Sequence, residues 1–255
     1  MGGALAKRLS QTNQIFLYNQ HSNKAEQLAQ AGYGKACKEI KEALTPAEMI
    51  ILAVKPQNLK QVAALVKDEL QKSQMLVSLL AGTPIAALRR YFPAAHIVRM
   101  MPNLALTQGE GVIGLSSDDK LQEESKELLP KTFATLGKVY WIPEEKMDAF
   151  TALTSSGPAF FLMMVEAMVD AGIAMGFTAK DAQGFVCQMV QGSLALLKTD
   201  KHPGELKWQI ASPQGTTIAG IRKMEELGLR GSIINTFLAA YEYGCKLSSQ
   251  SKEEK

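Results

Sequence analysis

Two domains in series are predicted: a doubly wound α/β layer over residues 1–144, then an all-α domain over residues 145–255. Three observations carry this reading. Up to about residue 142, short apolar runs alternate with amphipathic stretches, as buried parallel strands joined by helices do. From Pro143 onward the strand-like runs stop, and the chain reads as helix except at the Pro/Gly breaks 157–158, 203–204 and 213–215. A length of 255 residues also suits two modest domains.

The elements follow in order. The chain opens Met1-Gly2-Gly3-Ala4-Leu5. A dinucleotide-binding fold opens with a strand, Gly-x-Gly-x-x-Gly and a helix, and this opening reads as the end of that fingerprint, with Gly2 as its third glycine. The first strand and the two leading glycines are missing from it. A functional chain is therefore expected to carry about a dozen more residues upstream. Such a strand is central and buried on both faces, worth roughly 7–15 kcal/mol, so the 255-residue chain alone is expected to be poorly stable or cofactor-deficient. The run Ile15–Tyr18 reads as a strand of this Rossmann-like layer and exits into Asn19-Gln20-His21-Ser22-Asn23-Lys24. An NAD-binding protein places an acid here for the ribose; this segment has none, and its neutral hydrogen-bonding groups with Lys24 suit the 2′-phosphate of NADPH, leaving NADH second.

Residues 22–31 have helical periodicity. Met49–Val54 is a strand running into Ala53-Val54-Lys55-Pro56, and residues 57–71 return to helix. Met75–Leu79 ends in the small residues Ala81 and Gly82, as a close approach of backbone to a nicotinamide requires, before a helix over 84–91. Ile97–Arg99 runs into Met100-Met101-Pro102-Asn103, and Gly111–Leu115 and Lys138–Ile142 flank a helix over 120–136. Ligands of open α/β sheets gather at the carboxyl ends of strands, where the segments at 53–56, 81–82 and 103 all fall.

In the second domain, Gly157–Phe177 has the length of a bilayer-crossing helix but carries Glu166 and Asp170 one turn apart, so a helix buried on nearly all sides in protein is expected. The stretches 157–177 and 184–197 are apolar beyond one stripe, more than a lone helical domain buries, which predicts a homodimer; a ring of dimers stays open. Further on, Ser212-Pro213-Gln214-Gly215-Thr216-Thr217 is a turn followed by Ile218, Ile221, Met224 and Leu227 at helical spacing. Free N–H groups and the positive end of the dipole make such a helix start a carboxylate site, although a plain hydroxyl-capped helix reads the same way. The tail from Ser248 to Lys255 is polar and expected to fray.

Composition excludes several classes. A net charge of +3 without a basic run interleaved with aromatics argues against nucleic acid. Cys37, Cys187 and Cys245 are far apart, with no Cys/His cluster, which argues against a disulfide scaffold or zinc site and for a reducing, cytoplasmic compartment. Residues 1–20 show no secretory leader, and no membrane association is expected. The histidines at 21, 96 and 202 are scattered and offer no acid–base pair.

Residues 200 to 221, with Asp200-Lys201-His202-Pro203-Gly204-Glu205-Leu206 leading into Ser212–Gly220, resemble the signature of pyrroline-5-carboxylate reductases. Leu52–Gln57, Ser78–Gly82, Arg99–Asn103 and Thr154–Phe160 are similar to further motifs of that family, and the resemblance runs from Met1 to about Leu247. Two departures stand out: Gln20 where the family has arginine, and Ser155 where it has glycine. The resemblance implies NADPH-dependent reduction of 1-pyrroline-5-carboxylate to proline. It implies a substrate carboxylate on the N–H groups of Gly215, Thr216 and Thr217, assisted by Ser212, with the Thr217 hydroxyl near the ring nitrogen and Asp200 near the substrate. It places the cofactor against Gly2, Asn19, Ser22, Ala53, Val54, Lys55, Pro56, Ala81, Gly82 and Asn103, with no metal. It further implies interlocked helical domains, with the active site between the nucleotide domain of one subunit and the helices of the other. The competing readings are a related imine or hydroxyacid reductase, and a helical dimer that binds no cofactor. Against the first, the helix from Ser155 to Gly176 carries no lysine.

Overall fold

The computed structural model of the chain describes residues 1–71, 73–118, 120–199 and 201–253. Its first elements are α1 (Gly2–Leu9), β1 (Phe16–Leu17), α2 (Ser22–Gln30), β2 (Lys35–Ala36), α3 (Ile40–Leu44), β3 (Met49–Leu52), α4 (Leu59–Val66), β4 (Met75–Ser78), α5 (Ile85–Tyr91), β5 (His96–Pro102), β6 (Gly111–Ser117), α6 (Glu123–Thr132) and β7 (Gly137–Trp141). Among the described residues, strands run parallel to their neighbours except at one place. β3, β4 and β5 run parallel in register, so that Leu52, Ser78 and Arg99 lie side by side at one edge. β5 and β6 are antiparallel, and β7 then runs parallel to β6. The reversal follows from the connection. Only residues 103–110, with a 3₁₀ turn at Leu104–Gln108 ended by Gly109 at φ 77°, separate β5 from β6, too few for a parallel crossover.

Alternation along the strands explains their nearly continuous apolar sequence. Leu76 and Ile97 point to one face, packed with Leu59, Ala63, Val66 and Leu88 of α4 and α5. Val77 and Val98, one residue on, point to the other, with Leu5 and Leu9 of α1 and Leu129 of α6. β1 and β2 pair parallel in a separate two-stranded sheet that is not hydrogen-bonded to the sheet of β3–β7. Sequence periodicity missed β2 and α3, because two- and five-residue elements are shorter than any period can define.

The remaining elements are helical: α7 (Met147–Phe150), a π-helical turn at Thr151–Ser156, α8 (Gly157–Ala174), α9 (Ala179–Leu196), α10 (Pro203–Ile210), α11 (Thr216–Glu226) and α12 (Leu229–Glu253). The chain forms two compact units, one of residues 1–155 with 240–255 and one of residues 156–239. The polar tail expected to fray from Ser248 is instead helical to Glu253, and Ser248 is buried in the first unit. The second unit is held by close helix crossings. A β-carbon on Gly172 would stand 2.9 Å from the Ala182 β-carbon, and Phe160–Phe237 and Phe177–Phe185 meet edge to face at 5.2 and 5.4 Å. Thr178 caps α9, accepting from the Asp181 N–H at 3.2 Å. The helical run Glu144–Ala174 is long and apolar enough to cross a membrane, yet only 6% of its most apolar window is buried. The expectation of a helix enclosed on nearly all sides is therefore not met within one chain: the other helices of the second unit are too few to cover it.

Candidate active site

The segments expected to meet the cofactor follow β3, β4 and β5, whose common register brings their loops to one edge. Gly2 opens α1, and a β-carbon there would lie 3.0 Å from the Ala53 β-carbon. The start of α1 thus presses against the loop Ala53–Pro56, as the third glycine of a dinucleotide fingerprint requires. No side chain caps that helix start, so its first N–H groups stay free. Ala53 and Lys55 are exposed, Val54 partly so, and Pro56 begins a 3₁₀ turn that the Asn58 N–H closes on the Lys55 carbonyl at 2.9 Å.

At α2 the structure assembles neutral donors. The Asn19 side-chain oxygen accepts from the His21 N–H at 2.9 Å, bending the chain so that Ser22 begins a helix with no side-chain cap. Asn19, Ser22 and Lys24 are all exposed around that uncapped start. Donors, a cation and no carboxylate fit a 2′-phosphate.

Ala81 and Gly82 form the turn after β4, Gly82 in the left-handed region at φ 67°. The Thr83 N–H reaches back to the Leu80 carbonyl at 3.4 Å. Asn103, buried after β5, is a bracket: its side-chain oxygen accepts from the Val112 N–H at 3.1 Å and its amide donates to the Thr154 carbonyl at 3.0 Å. The π-helical turn makes that carbonyl available, and the Ser155 hydroxyl likewise donates to the Pro102 carbonyl at 3.2 Å. An ion pair holds the same region, and one of its members, Glu144, is a residue that the sequence reading missed. Arg99, buried in the middle of β5, pairs with Glu144 at 3.1 Å, and the same carboxylate oxygen accepts from the Ile85 N–H at 2.7 Å. A lone acid past the last strand carries no pattern of its own, so no sequence signal pointed to it.

The residues expected to meet the substrate lie in the second unit, between α10 and α11. His202 caps α10, its Nδ1 accepting from the Gly204 N–H at 3.1 Å. The following turn closes through the Gly215 N–H on the Ser212 carbonyl at 3.1 Å, with Pro213 second and Gln214 third. Gln214 has φ 58°, the only positive φ outside glycine among the described residues. A β-carbon on Gly215 would collide with the Ser212 hydroxyl, so glycine is required there to bring that oxygen against the helix start. α11 has no side-chain cap. Its first-turn N–H groups and the hydroxyls of Ser212, Thr216 and Thr217 have no protein partner among the described residues. Four of the five predicted substrate-side residues thus come together in one turn; Asp200 lies outside the described residues. Among the described residues no group of three or more His, Cys, Asp or Glu side chains could hold a metal.

Comparison with known proteins matches two segments of the chain to family models. Residues 144–247 match the family model described as pyrroline-5-carboxylate reductase dimerisation, and residues 1–82 match that described as NADP oxidoreductase, coenzyme F420-dependent. The pyrroline-5-carboxylate reductase of a Synechocystis strain is 31% identical over 247 residues, 96% of this chain and 92% of the relative. That of Methanosarcina acetivorans is 36% identical over 205 residues, 80% of this chain and 76% of the relative. The crystal structure of the Plasmodium falciparum pyrroline carboxylate reductase with NADP bound superposes with a TM-score of 0.87 at 27% identity, covering 97% of this chain and 94% of that one.

Proposed function

The chain belongs to the pyrroline-5-carboxylate reductase family, and from this premise we propose which of its residues carry the reaction. The protein is an NADPH-dependent oxidoreductase that reduces the C=N bond of 1-pyrroline-5-carboxylate to L-proline, and it self-associates through its helical domain. Residues 1–144 serve the cofactor and 145–255 serve dimerisation and substrate, in a homodimer of the cytoplasm, without membrane or nucleic acid. The reducing compartment is supported by three free cysteines.

When bound, NADPH supplies the hydride. The uncapped start of α1 beside Ala53 receives the pyrophosphate, and Asn19, Ser22 and Lys24 receive the 2′-phosphate. The turns Ala53–Pro56 and Ala81–Gly82 present backbone to the cofactor, and Asn103 fixes the third loop. The observation that carries the substrate assignment is the uncapped start of α11 with its unpartnered hydroxyls. The N–H groups of Thr216 and Thr217 and the Ser212 hydroxyl receive the ring carboxylate, and the Thr217 hydroxyl supplies or orients the proton at the imine nitrogen. Asp200 stands in this assignment on the family resemblance alone.

Steady-state reduction of pyrroline-5-carboxylate tests these roles. Thr217→Val keeps the volume and removes the donor. A positioned acid predicts a kcat loss of roughly 10²–10⁴-fold with the Kd for NADPH unchanged. A substrate that arrives protonated predicts about tenfold, the worth of one hydrogen bond of ~1 kcal/mol. An unchanged kcat at every pH removes Thr217 from the mechanism.

A further inference from the structure

The turn Leu80–Thr83 is roofed by the far end of the chain. Where a side chain would leave Gly82, the backbone of Leu247 and Ser248 stands 3.6 Å from the β-carbon position, in ordinary contact. The end of α12 therefore lies directly on the turn that follows β4. One carboxylate, 100 residues away in sequence, fixes it there. The Ser248 hydroxyl, in a residue only 9% exposed, donates to Asp148 Oδ1 at 2.9 Å. One turn earlier on α12, a β-carbon on Gly244 would sit 3.9 Å from the Asp148 β-carbon, so nothing bulkier separates α12 from α7. The hydroxyl of Tyr241, on the same stretch, is held above its ordinary pKa first by its hydrogen bond with Cys245 and last by the charge of Asp148. Glu144, four residues before Asp148, fixes the exit of the same turn through the Ile85 N–H.

We propose that Asp148 is a positioning residue for the cofactor: by accepting the Ser248 hydroxyl it seats the end of α12 on the Leu80–Thr83 turn and holds that turn in the shape that receives the nicotinamide half of NADPH. This rests on the assignment of Ala81 and Gly82 to the cofactor. It adds to that assignment a latch between α7 and α12 that touches no ligand. A left-handed glycine turn has many alternatives open to it, and the weight of a helix end removes them. Loosening the latch lowers the fraction of protein whose turn is ready to bind, and the apparent Kd rises by that fraction.

The test uses the full chain and four variants: Asp148→Ala, Asp148→Asn, Ser248→Ala and Gly82→Ala. NADPH affinity is read by fluorescence titration, and the turn by amide hydrogen exchange over residues 79–85 without cofactor. Asp148→Ala and Ser248→Ala are each expected to raise the NADPH Kd about 5–10-fold and to speed exchange in the turn. KM for pyrroline-5-carboxylate and kcat should move less than about twofold. Asp148→Asn still offers an oxygen to Ser248 and should recover most of the affinity. A merely structural role would lower the melting temperature without raising the NADPH Kd relative to the KM for pyrroline-5-carboxylate. If Asp148→Ala does not fold, Ser248→Ala, which removes one hydroxyl, decides. NADPH affinity within twofold of wild type in Ser248→Ala overturns the latch while Gly82→Ala still weakens binding. If Gly82→Ala also leaves the affinity unchanged, the cofactor assignment of the turn falls, and the latch with it.

Discussion

The nucleotide-binding unit and the helical unit solve the burial problem in opposite ways. In the first, two apolar clusters fill both faces of the β3–β7 sheet, and side chains such as Leu76, Ile97 and Phe133 are fully enclosed. In residues 156–239, Ala182 and Leu206 are the only apolar side chains buried among the described residues. Leu162 is 62% and Met163 73% exposed on α8, and Phe185 and Met189 are exposed on α9. A unit that leaves such residues in water has no core of its own, whereas the sheet of the other unit supplies itself with one. The helical unit belongs to a dimerisation family, so a second copy supplies what the single chain lacks. One half is thus a folded body that binds, and the other is half of a body.

The largest test of this contrast puts charge on the helical surface. Leu162→Asp with Met163→Asp removes two apolar side chains per chain from the partner, roughly 6–12 kcal/mol across a dimer. Light scattering should show monomer; a persistent dimer would mean that α8 is not the contact. The opposite experiment is Leu76→Ala in the sheet, which should cost about 2–5 kcal/mol in chemical denaturation and leave the dimer intact. Dissociation in that variant would show that the two units do not divide these duties. A smaller effect is expected at Gln214, the left-handed non-glycine of the turn before α11. Gln214→Gly relieves about 1 kcal/mol of backbone strain, and the melting temperature should rise slightly. A fall would reveal that the glutamine side chain is needed by the fold. The smallest concerns Cys37, whose thiol is pushed above its ordinary pKa first by burial and then by Glu42. The unfolded thiol ionises at lower pH than the folded one. Its contribution is therefore complete below the ordinary thiol pKa and is lost as pH rises through the folded value. Cys37→Ser should flatten that alkaline slope, and an identical slope in both proteins would refute it.

Alkylation kinetics sharpen the comparison at the same residues, since Cys37 is buried in the nucleotide unit while Cys187 is exposed on α9. Cys37 should react last. If Cys187 is slow as well, a partner covers that face of α9.

Much of this was legible in the residues themselves. The alternating runs at Met49–Leu52, Met75–Ser78 and Gly111–Ser117 specify strands because burial on both faces admits only apolar residues. The turn at Ser212–Thr217 was legible because proline, glycine and hydroxyls each impose a local backbone or donor requirement. The sequence alone determined the order of the longer elements, the places where the main strands end, and the apolar excess of α8 and α9. The tertiary structure decided the rest: the reversal at β6, the bracket of Asn103 on Thr154, the pairing of Arg99 with Glu144, and the seat of Ser248 on Asp148. Periodicity reports which face of an element is buried, a property of neighbours three or four residues apart. A hydrogen bond between residues 100 apart leaves no period, and only the folded chain brings its two ends together.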